Sequence, residues 1–373
     1  TPARRRNGRR RLFSLGCEYA TDYGKVIPVC ISCQCHRSNL KSPAQSVVRA
    51  IGLFSGGLDS LLAACMVREQ GVDVLALAFE SPFFSARKAR ETAAQFGFPI
   101  RVEDFTSDIL ALIAHPRHGF GGGMNPCIDC HTRMIHRAGR ILDQEGYDFL
   151  FTGEILHQRP MSQNPRSLEI VARESGYADR LVRPLSARLL PETEVERRGW
   201  LDRQRLGDLE GRSRKRHREL AARYGITTLP PVAGGCCLAE PHFAARLRDL
   251  RRHEGVENLS LVRLLFYGRH FRLAPRVKCI VGRNESENRL LEQQFFTFGW
   301  LALEAMDRPG PFCLLSAGAD DELRRLAAGL CAAYAKAPPG VSIPVALRDP
   351  SGSSSILLAA PVDPSQLNQW RMA

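Results

Sequence analysis

The sequence predicts an α/β protein: a parallel sheet with helices on both faces, followed by a small C-terminal α/β module. Three observations carry that expectation. Apolar strand-like runs alternate with helical patterns from residue 47 to residue 152. The first run ends in a glycine-rich turn that leads straight into a helical pattern. The composition, 44% hydrophobic and 24% charged over 373 residues, is that of ordinary globular domains. It excludes a disordered or fibrous chain, and the length suits two or three domains of about 100–200 residues each.

The elements follow in order. Residues 1–46 are basic and without amphipathic period, and read as a poorly ordered arm. Residues 47–54 (VVRAIGLF) read as a buried strand, then a helix over 61–69, a strand over 72–79 and a helix over 86–96. A strand at 100–104, a helix at 107–114, a loop with Gly119, Gly121, Gly122 and Gly123, a helix over 128–144 and a strand at 147–152 continue the alternation. Parallel strands joined by helices wind with right-handed crossovers. Residues 47–185 form the first domain on this reading, and residues 186–258 a mostly helical basic extension that completes its site. Residues 259–373 form the small module, with strands at 277–281, 312–315 and 356–360 and helices at 285–295 and 320–335.

Charge narrows the function classes. Lys and Arg number 52 against 39 Asp and Glu, a formal net charge of +13. Residues 1–49 carry ten basic side chains against Glu18 and Asp22 alone, and a second cluster includes Arg212, Arg214, Lys215, Arg216 and Arg218. Such clusters draw phosphate backbones through counterion release, although a solvated surface gives the same pattern. No apolar run approaches the roughly 18–20 residues of a membrane span. With no apolar leader stretch either, a cytoplasmic location without a membrane partner is expected.

The twelve cysteines do not form a secreted disulfide framework in a chain of this size and type. Cys65, Cys279, Cys313 and Cys331 sit in apolar runs and read as small core residues. Cys30, Cys33, Cys35 and His36 have ligand-like spacing for zinc, but no second CxxC lies at finger distance. Cys127-Ile-Asp-Cys130 and the adjacent Cys236 and Cys237 are the remaining groups.

The sharpest motif is Ser55-Gly56-Gly57-Leu58-Asp59-Ser60, between a strand and a helix. Glycines admit close backbone approach, and the exposed amides with the helix N-terminus seat phosphate oxygens. Ser55 and Ser60 add hydroxyls, and Asp59 offers a hard oxygen donor to Mg²⁺. A Gly-Gly turn also closes ordinary strand–helix joints. The full hexapeptide resembles the PP-loop of the N-type ATP pyrophosphatases, which split ATP between the α and β phosphates. It lacks the Lys-Ser/Thr of the other common phosphate loop. The resemblance implies the adenine nucleotide alpha hydrolase-like fold, ATP bound by residues 55–60 with Gly153, and Mg²⁺ on Asp59.

Asn125-Pro126-Cys127-Ile128-Asp129-Cys130-His131 with Gly234-Gly235-Cys236 resembles the cysteine arrangement of tRNA thiolation enzymes in this superfamily, both 4-thiouridine synthases and 2-thiouridylases. Thr152-Gly153-Glu154, residues 158–163 and residues 211–214 are similar as well, so the likeness covers about residues 47–250. It implies an ATP-dependent tRNA sulfurtransferase that adenylates a uridine carbonyl oxygen and replaces it with sulfur, 4-thiouridine being slightly preferred over 2-thiouridine. Cys127, Cys236 and Asp59 would be catalytic. Cys127, Cys130 and Cys236 would hold a [4Fe–4S] cluster. Alternatively one of Cys127 and Cys236 carries a persulfide that the other resolves; a zinc site or inert core thiols are the plain reading. Cys237 stands where the resembled pattern has an apolar residue, so either neighbour could be the third cysteine.

Residues 281–288 open the last module and resemble the RNA-binding domain of ribosome-associated quality-control proteins, without the aromatic, histidine-containing strand expected later in it. A packing or oligomerisation module is the alternative. The partners implied are tRNA and a sulfur donor (sulfide or a persulfide carrier protein), with a homodimer also open. Two other function classes stay in view: a PP-loop amidating enzyme, and a non-enzymatic RNA-binding protein with a nucleotide-sensing loop.

Overall fold

The computed structural model describes residues 19–22, 25–28, 47–227 and 236–372. Residues 1–46 are one unit and residues 47–373 another. In the first, strands β1 (Tyr19–Asp22) and β2 (Lys25–Pro28) pair antiparallel. The arm is therefore not wholly irregular as expected; β-branched Val26 and Ile27 favour a strand. Cys30, Cys33, Cys35 and His36, and with them the zinc reading, lie outside the described residues.

The second unit begins with β3 (Arg49–Leu53), α1 (Leu58–Arg68), β4 (Asp73–Glu80), α2 (Arg87–Phe96), β5 (Ile100–Asp104), α3 (Thr106–Ala114), α4 (Cys127–Glu145), β6 (Phe149–Thr152), α5 (Pro165–Ser175) and β7 (Leu181–Val182). The five strands are all parallel, in the order β5-β4-β3-β6-β7. Alternation along each strand feeds two cores. Ala50, Phe149 and Phe151 face α1, while Ile51, Leu77 and Leu150 face the side of α3 and α4. Leu61 and Leu62 of α1 are fully buried, and each such side chain contributes about 1.5–3 kcal/mol. The chain runs outward from β3 in both directions, so a crevice opens at the strand ends between β3 and β6.

The next stretch corrects an expectation. Residues 186–258 are expected to be mostly helical, but among the described residues they hold only α6 (Glu194–Arg197), α7 (Lys215–Arg223) and α8 (Pro241–His253), with short 3₁₀ turns and irregular chain beside them. Prolines at 184 and 191 and glycines at 199, 207 and 211 interrupt any longer helix.

After α9 (Leu259–Leu264) the chain forms β8 (Arg269–Ala274), β9 (Val277–Val281), α10 (Glu285–Phe298), β10 (Leu301–Ala305), β11 (Cys313–Leu315), α11 (Asp321–Tyr334), β12 (Ile343–Arg348) and β13 (Ser354–Ala359). These six strands make an antiparallel sheet in the order β13-β12-β10-β11-β9-β8. One face packs on α11, the other on α10 and Leu264 of α9. Arg272 of β8 fastens the module to α8 and the turn after it, with Nε 3.2 Å from Asp249 Oδ1 and Nη1 2.7 Å from Glu254 Oε1. Cys65, Cys279, Cys313 and Cys331 are buried core residues. Among the described residues no helix is long and apolar enough to cross a membrane.

Candidate active site

The PP-loop hexapeptide sits at the crevice because β3 ends at Leu53 and α1 begins at Leu58. Gly56 adopts φ +72°, and a Cβ there would lie 2.5 Å from the Lys88 carbonyl oxygen. Both handedness and the approach of α2 therefore require glycine. Ser60 Oγ donates to the Gly57 carbonyl (2.9 Å), and Ser55 Oγ stands 3.3 Å from Ser60 Oγ. The chain leaving β6 crosses this turn so closely that a Cβ on Gly153 would lie 2.6 Å from the Ser60 nitrogen.

Glu154 is the buried anchor behind that crossing. Its carboxylate accepts from Arg183 Nε (2.9 Å) and Thr152 Oγ1 (3.0 Å), and His131 Nδ1 lies 2.8 Å from its other oxygen. Burial pushes the Glu154 carboxyl up, but the Arg183 charge and the His131 contact outweigh it and bring it down to about 2. His131 is thereby tied to β6 while its ring lines the cleft.

Cys127, Cys130 and His131 occupy the first turn of α4, whose N-terminus meets the crevice. Asn125 Nδ2 donates to Cys127 Sγ at 3.0 Å. Cys236 arrives from far along the chain, on a segment stitched down by backbone bonds. Met124 N donates to Leu238 O (2.8 Å) and Cys237 N to Phe83 O (3.2 Å). Cys236 lines the cleft and Cys237 does not. Apolar burial raises these thiols: Cys130 well above the usual range, Cys236 to about 11 and Cys237 to about 12.

One cleft of about 900 Å³ is bounded by Ser55, Gly57, Leu58, Asp59 and Ser60 on one side and Cys127, Cys130 and Cys236 on another. Gly153, Arg212 and Arg214 also line it, whereas Gly56, Lys215 and Arg216 do not. Lys215 and Arg216 are exposed on the first turn of α7, and Arg216 pairs with Asp208. Asp59 Oδ2 accepts from Gln158 Nε2 at 3.1 Å, and Oδ1 takes no aligned hydrogen bond. Burial raises the Asp59 carboxyl, but His217, Gln158 and the Arg214 charge hold it below its ordinary value. Sequence reasoning assigned no role to Gln158, His131, Glu154 or His217. The Thr-Gly-Glu triplet signalled Glu154, but nothing local marked His217.

The donor sets can be tested against the groups that the motifs imply. Asp59, Ser55 and Ser60 offer oxygen only, and Asp59 Oδ1 has no aligned hydrogen bond, with His217 as its neighbour, a donor set that fits Mg²⁺. Among the described residues no group of three His, Cys, Asp or Glu is arranged around a single ion. A four-iron cubane binds each thiolate through a different iron and so needs them farther apart than one ion does. Cys127, Cys130 and Cys236 line one cleft and are the thiolate donor type that such a cluster takes.

Over residues 41–267 the sequence matches the family model described as asparagine synthase. That is more than half of the chain. The chain belongs to this PP-loop family. Residues 268–371 match the model described as the NFACT protein RNA binding domain. The tRNA-specific 2-thiouridylase of Roseobacter denitrificans is 25% identical over 264 residues, covering 59% of this chain and 64% of that protein. That of Pelobacter propionicus is 27% identical over 195 residues, covering 48% and 50%. The chain thus spans about half to two thirds of the length of the curated relatives it matches. A solved structure titled as a predicted subunit of tRNA methyltransferase, from Methanocaldococcus jannaschii, aligns at 22% identity over 37% of this chain and 68% of that one. Its TM-score of 0.29 is too low to carry an inference.

Proposed function

We propose that this protein is an ATP-dependent tRNA sulfurtransferase, acting in the cytoplasm on a uridine. The observation that carries the reading is the single cleft bounded by the PP-loop on one side and Cys127, Cys130 and Cys236 on another. A uracil carbonyl oxygen is a poor leaving group. Attack of that oxygen on the α-phosphorus, with pyrophosphate departing, makes it part of an AMP leaving group. The Ser55–Ser60 amides and hydroxyls would hold the phosphates, with Asp59 as the carboxylate for Mg²⁺. Arg212 and Arg214, with Lys215 and Arg216 outside the cleft, would hold RNA phosphates. A sulfur nucleophile presented from the cysteine side then displaces AMP from the activated carbon.

Cys127, Cys130 and Cys236 would hold a [4Fe–4S] cluster, whose chemistry is to keep one iron open to a sulfide ligand. Around it, this chain's own groups orient the site. Asn125 fixes the Cys127 sulfur, and Glu154 fixes the His131 ring at the cleft wall. The relatives' printed names point to position 2 of the uracil ring, whereas the sequence alone leaned towards position 4. Their names, and an RNA-binding match over the C-terminal sheet, also support tRNA as the substrate. The sulfur donor would be sulfide or a persulfide carrier. The thiols in the cleft favour sulfur over the nitrogen delivery of an amidating enzyme.

Mass spectrometry of tRNA nucleosides from a deletion strain tests the reading. Loss of either 2-thiouridine or 4-thiouridine is the expected result and names the position. Unchanged levels of both remove the proposal.

A further inference from the structure

The PP-loop carboxylate has a neighbour that comes from the basic helix. His217 on α7 is 1% exposed, and its Nε2 lies 3.1 Å from Asp59 Oδ1. Its Nδ1 stands 3.0 Å from the Ser213 carbonyl oxygen, which can only accept, so Nδ1 carries a proton. The ring is thus fixed by its own helix turn and aimed at Asp59. Gln158 occupies the other carboxylate oxygen. Asp59 Oδ1 is shielded from solvent, yet neither it nor His217 Nε2 has an aligned hydrogen bond. Asp59 is therefore held against α7 by a close, buried contact.

Helix α7 is keyed to α1 at a second point. Tyr224 Oη donates to Glu69 Oε2 at 2.7 Å, and Arg223 pairs with the same carboxylate. That tether holds the C-terminal end of α7 beside the end of α1. The other end, next to Asp59, continues into Arg212 and Arg214, which line the cleft, and carries exposed Lys215, Arg216 and Arg218. Gly211, at φ +73°, stands at the base of this basic segment, where its N–H donates to the Leu156 carbonyl at 2.8 Å and marks the point from which residues 212–218 leave the sheet side of the fold. A polyanion drawn to residues 212–218 would act on the end that holds His217, while the Glu69 tether acts as the fixed point.

We propose that His217 is a positioning residue that couples RNA binding to ATP use. RNA phosphates on residues 212–218 shift the first turn of α7, His217 withdraws, and Asp59 Oδ1 turns to the cation that accompanies ATP. His217 touches neither substrate and acts through Asp59 alone. The inference rests on the sulfurtransferase reading above, since it takes RNA as the activating ligand.

The test uses the full chain, ATP with Mg²⁺, and bulk tRNA, with pyrophosphate release as the readout. Wild-type protein should release pyrophosphate about tenfold faster with tRNA than without, within the 5–150-fold span of ordinary coupling. In His217→Leu the rate without tRNA should rise towards the stimulated rate and the ratio fall to about one. His217→Gln, whose amide can still donate to Asp59, should keep the tRNA dependence. A residue that merely supports the fold would lower both rates and leave the ratio intact, and that result overturns the proposal. Binding of Mn²⁺ with α,β-methylene ATP gives a readout apart from turnover and needs only wild-type protein. tRNA should tighten it about tenfold, and an unchanged affinity overturns the coupling. If wild-type protein releases no pyrophosphate with any tRNA, the parent reading fails, and the Mn²⁺ measurement still decides the coupling.

Discussion

Glu154→Gln is the perturbation whose size follows most directly from the structure. The Glu154 carboxylate is buried and shared between Arg183, Thr152 and His131, and Arg183 is itself only 8% exposed. An amide of the same shape cannot accept on both sides, so it leaves a buried guanidinium without its counter-charge. Removing one partner of a buried ion pair costs about 3–5 kcal/mol. The titration gives a similar figure: a carboxyl held at about 2 instead of 4.5 contributes on the order of 3 kcal/mol. Because the folded value is the lower one, that stabilisation is complete above pH 4.5 and is lost as the pH falls towards 2. Urea unfolding of wild type and variant from pH 7 to pH 3 measures both parts. The variant should be less stable by about 3–5 kcal/mol at pH 7, with the gap narrowing steadily in acid. A gap under about 1 kcal/mol at pH 7, or one that does not change with pH, would refute the ion-pair reasoning.

Three further outcomes follow from the same cleft. Cys127→Ala and Cys236→Ala should each abolish sulfur insertion while pyrophosphate release persists, whereas Cys237→Ala should retain insertion; thiouridine quantitation in an anaerobic assay with ATP, sulfide and tRNA distinguishes them. Asp59→Ala should abolish pyrophosphate release as well, read by a coupled pyrophosphate assay. Gly56→Ala forces a side chain into φ +72° and against the Lys88 carbonyl, so thermal unfolding should show a loss of about 1–3 kcal/mol, with ATP binding weakened in calorimetry.

The sequence made the central sheet legible because local signals agree there. β3, β4, β5 and β6 are apolar runs bounded by turns, and the helices between them carry their own period. Of the strands not expected, β10 is a plain short apolar run, while in β8, β12 and β7 the pattern is masked or too short. β8 carries Arg269, His270 and Arg272, and two of them turn inward: His270 is 1% exposed and Arg272 is spent on Asp249 and Glu254. β12 alternates as a strand should, with Ile343, Val345 and Leu347 buried, but Pro344 lies inside it. Proline is tolerated there because it lies at the end of the β10–β12 ladder: Met306 N still donates to the Pro344 carbonyl at 3.0 Å, and the missing N–H falls opposite the exposed Met306, where water can serve the carbonyl. β7 has two residues, too short to leave any period. Residues 186–258 mislead for the opposite reason, since a dense basic composition looks helical while its prolines and glycines break the described chain into turns.

The site divides along the same line between local and long-range information. The PP-loop could be read because strand, turn and helix are contiguous, so six residues state the whole geometry. The third cysteine could not, because Cys236 and Cys237 are chemically identical neighbours whose directions are set from outside. Cys236 is extended (φ −60°, ψ 151°) and caps the 3₁₀ turn that begins at Cys237. Which of them faces the cleft is then decided by two distant backbone bonds, Cys237 N to Phe83 O and Met124 N to Leu238 O. Gly123 belongs to the same device, since a Cβ there would lie 2.3 Å from the Leu238 oxygen. The loop after β4 and the loop before α4 therefore orient a thiol more than a hundred residues away. His217 reaches Asp59 by the same kind of long-range closure. Sequence motifs name the candidate groups, and the contacts that aim them belong to the folded chain alone.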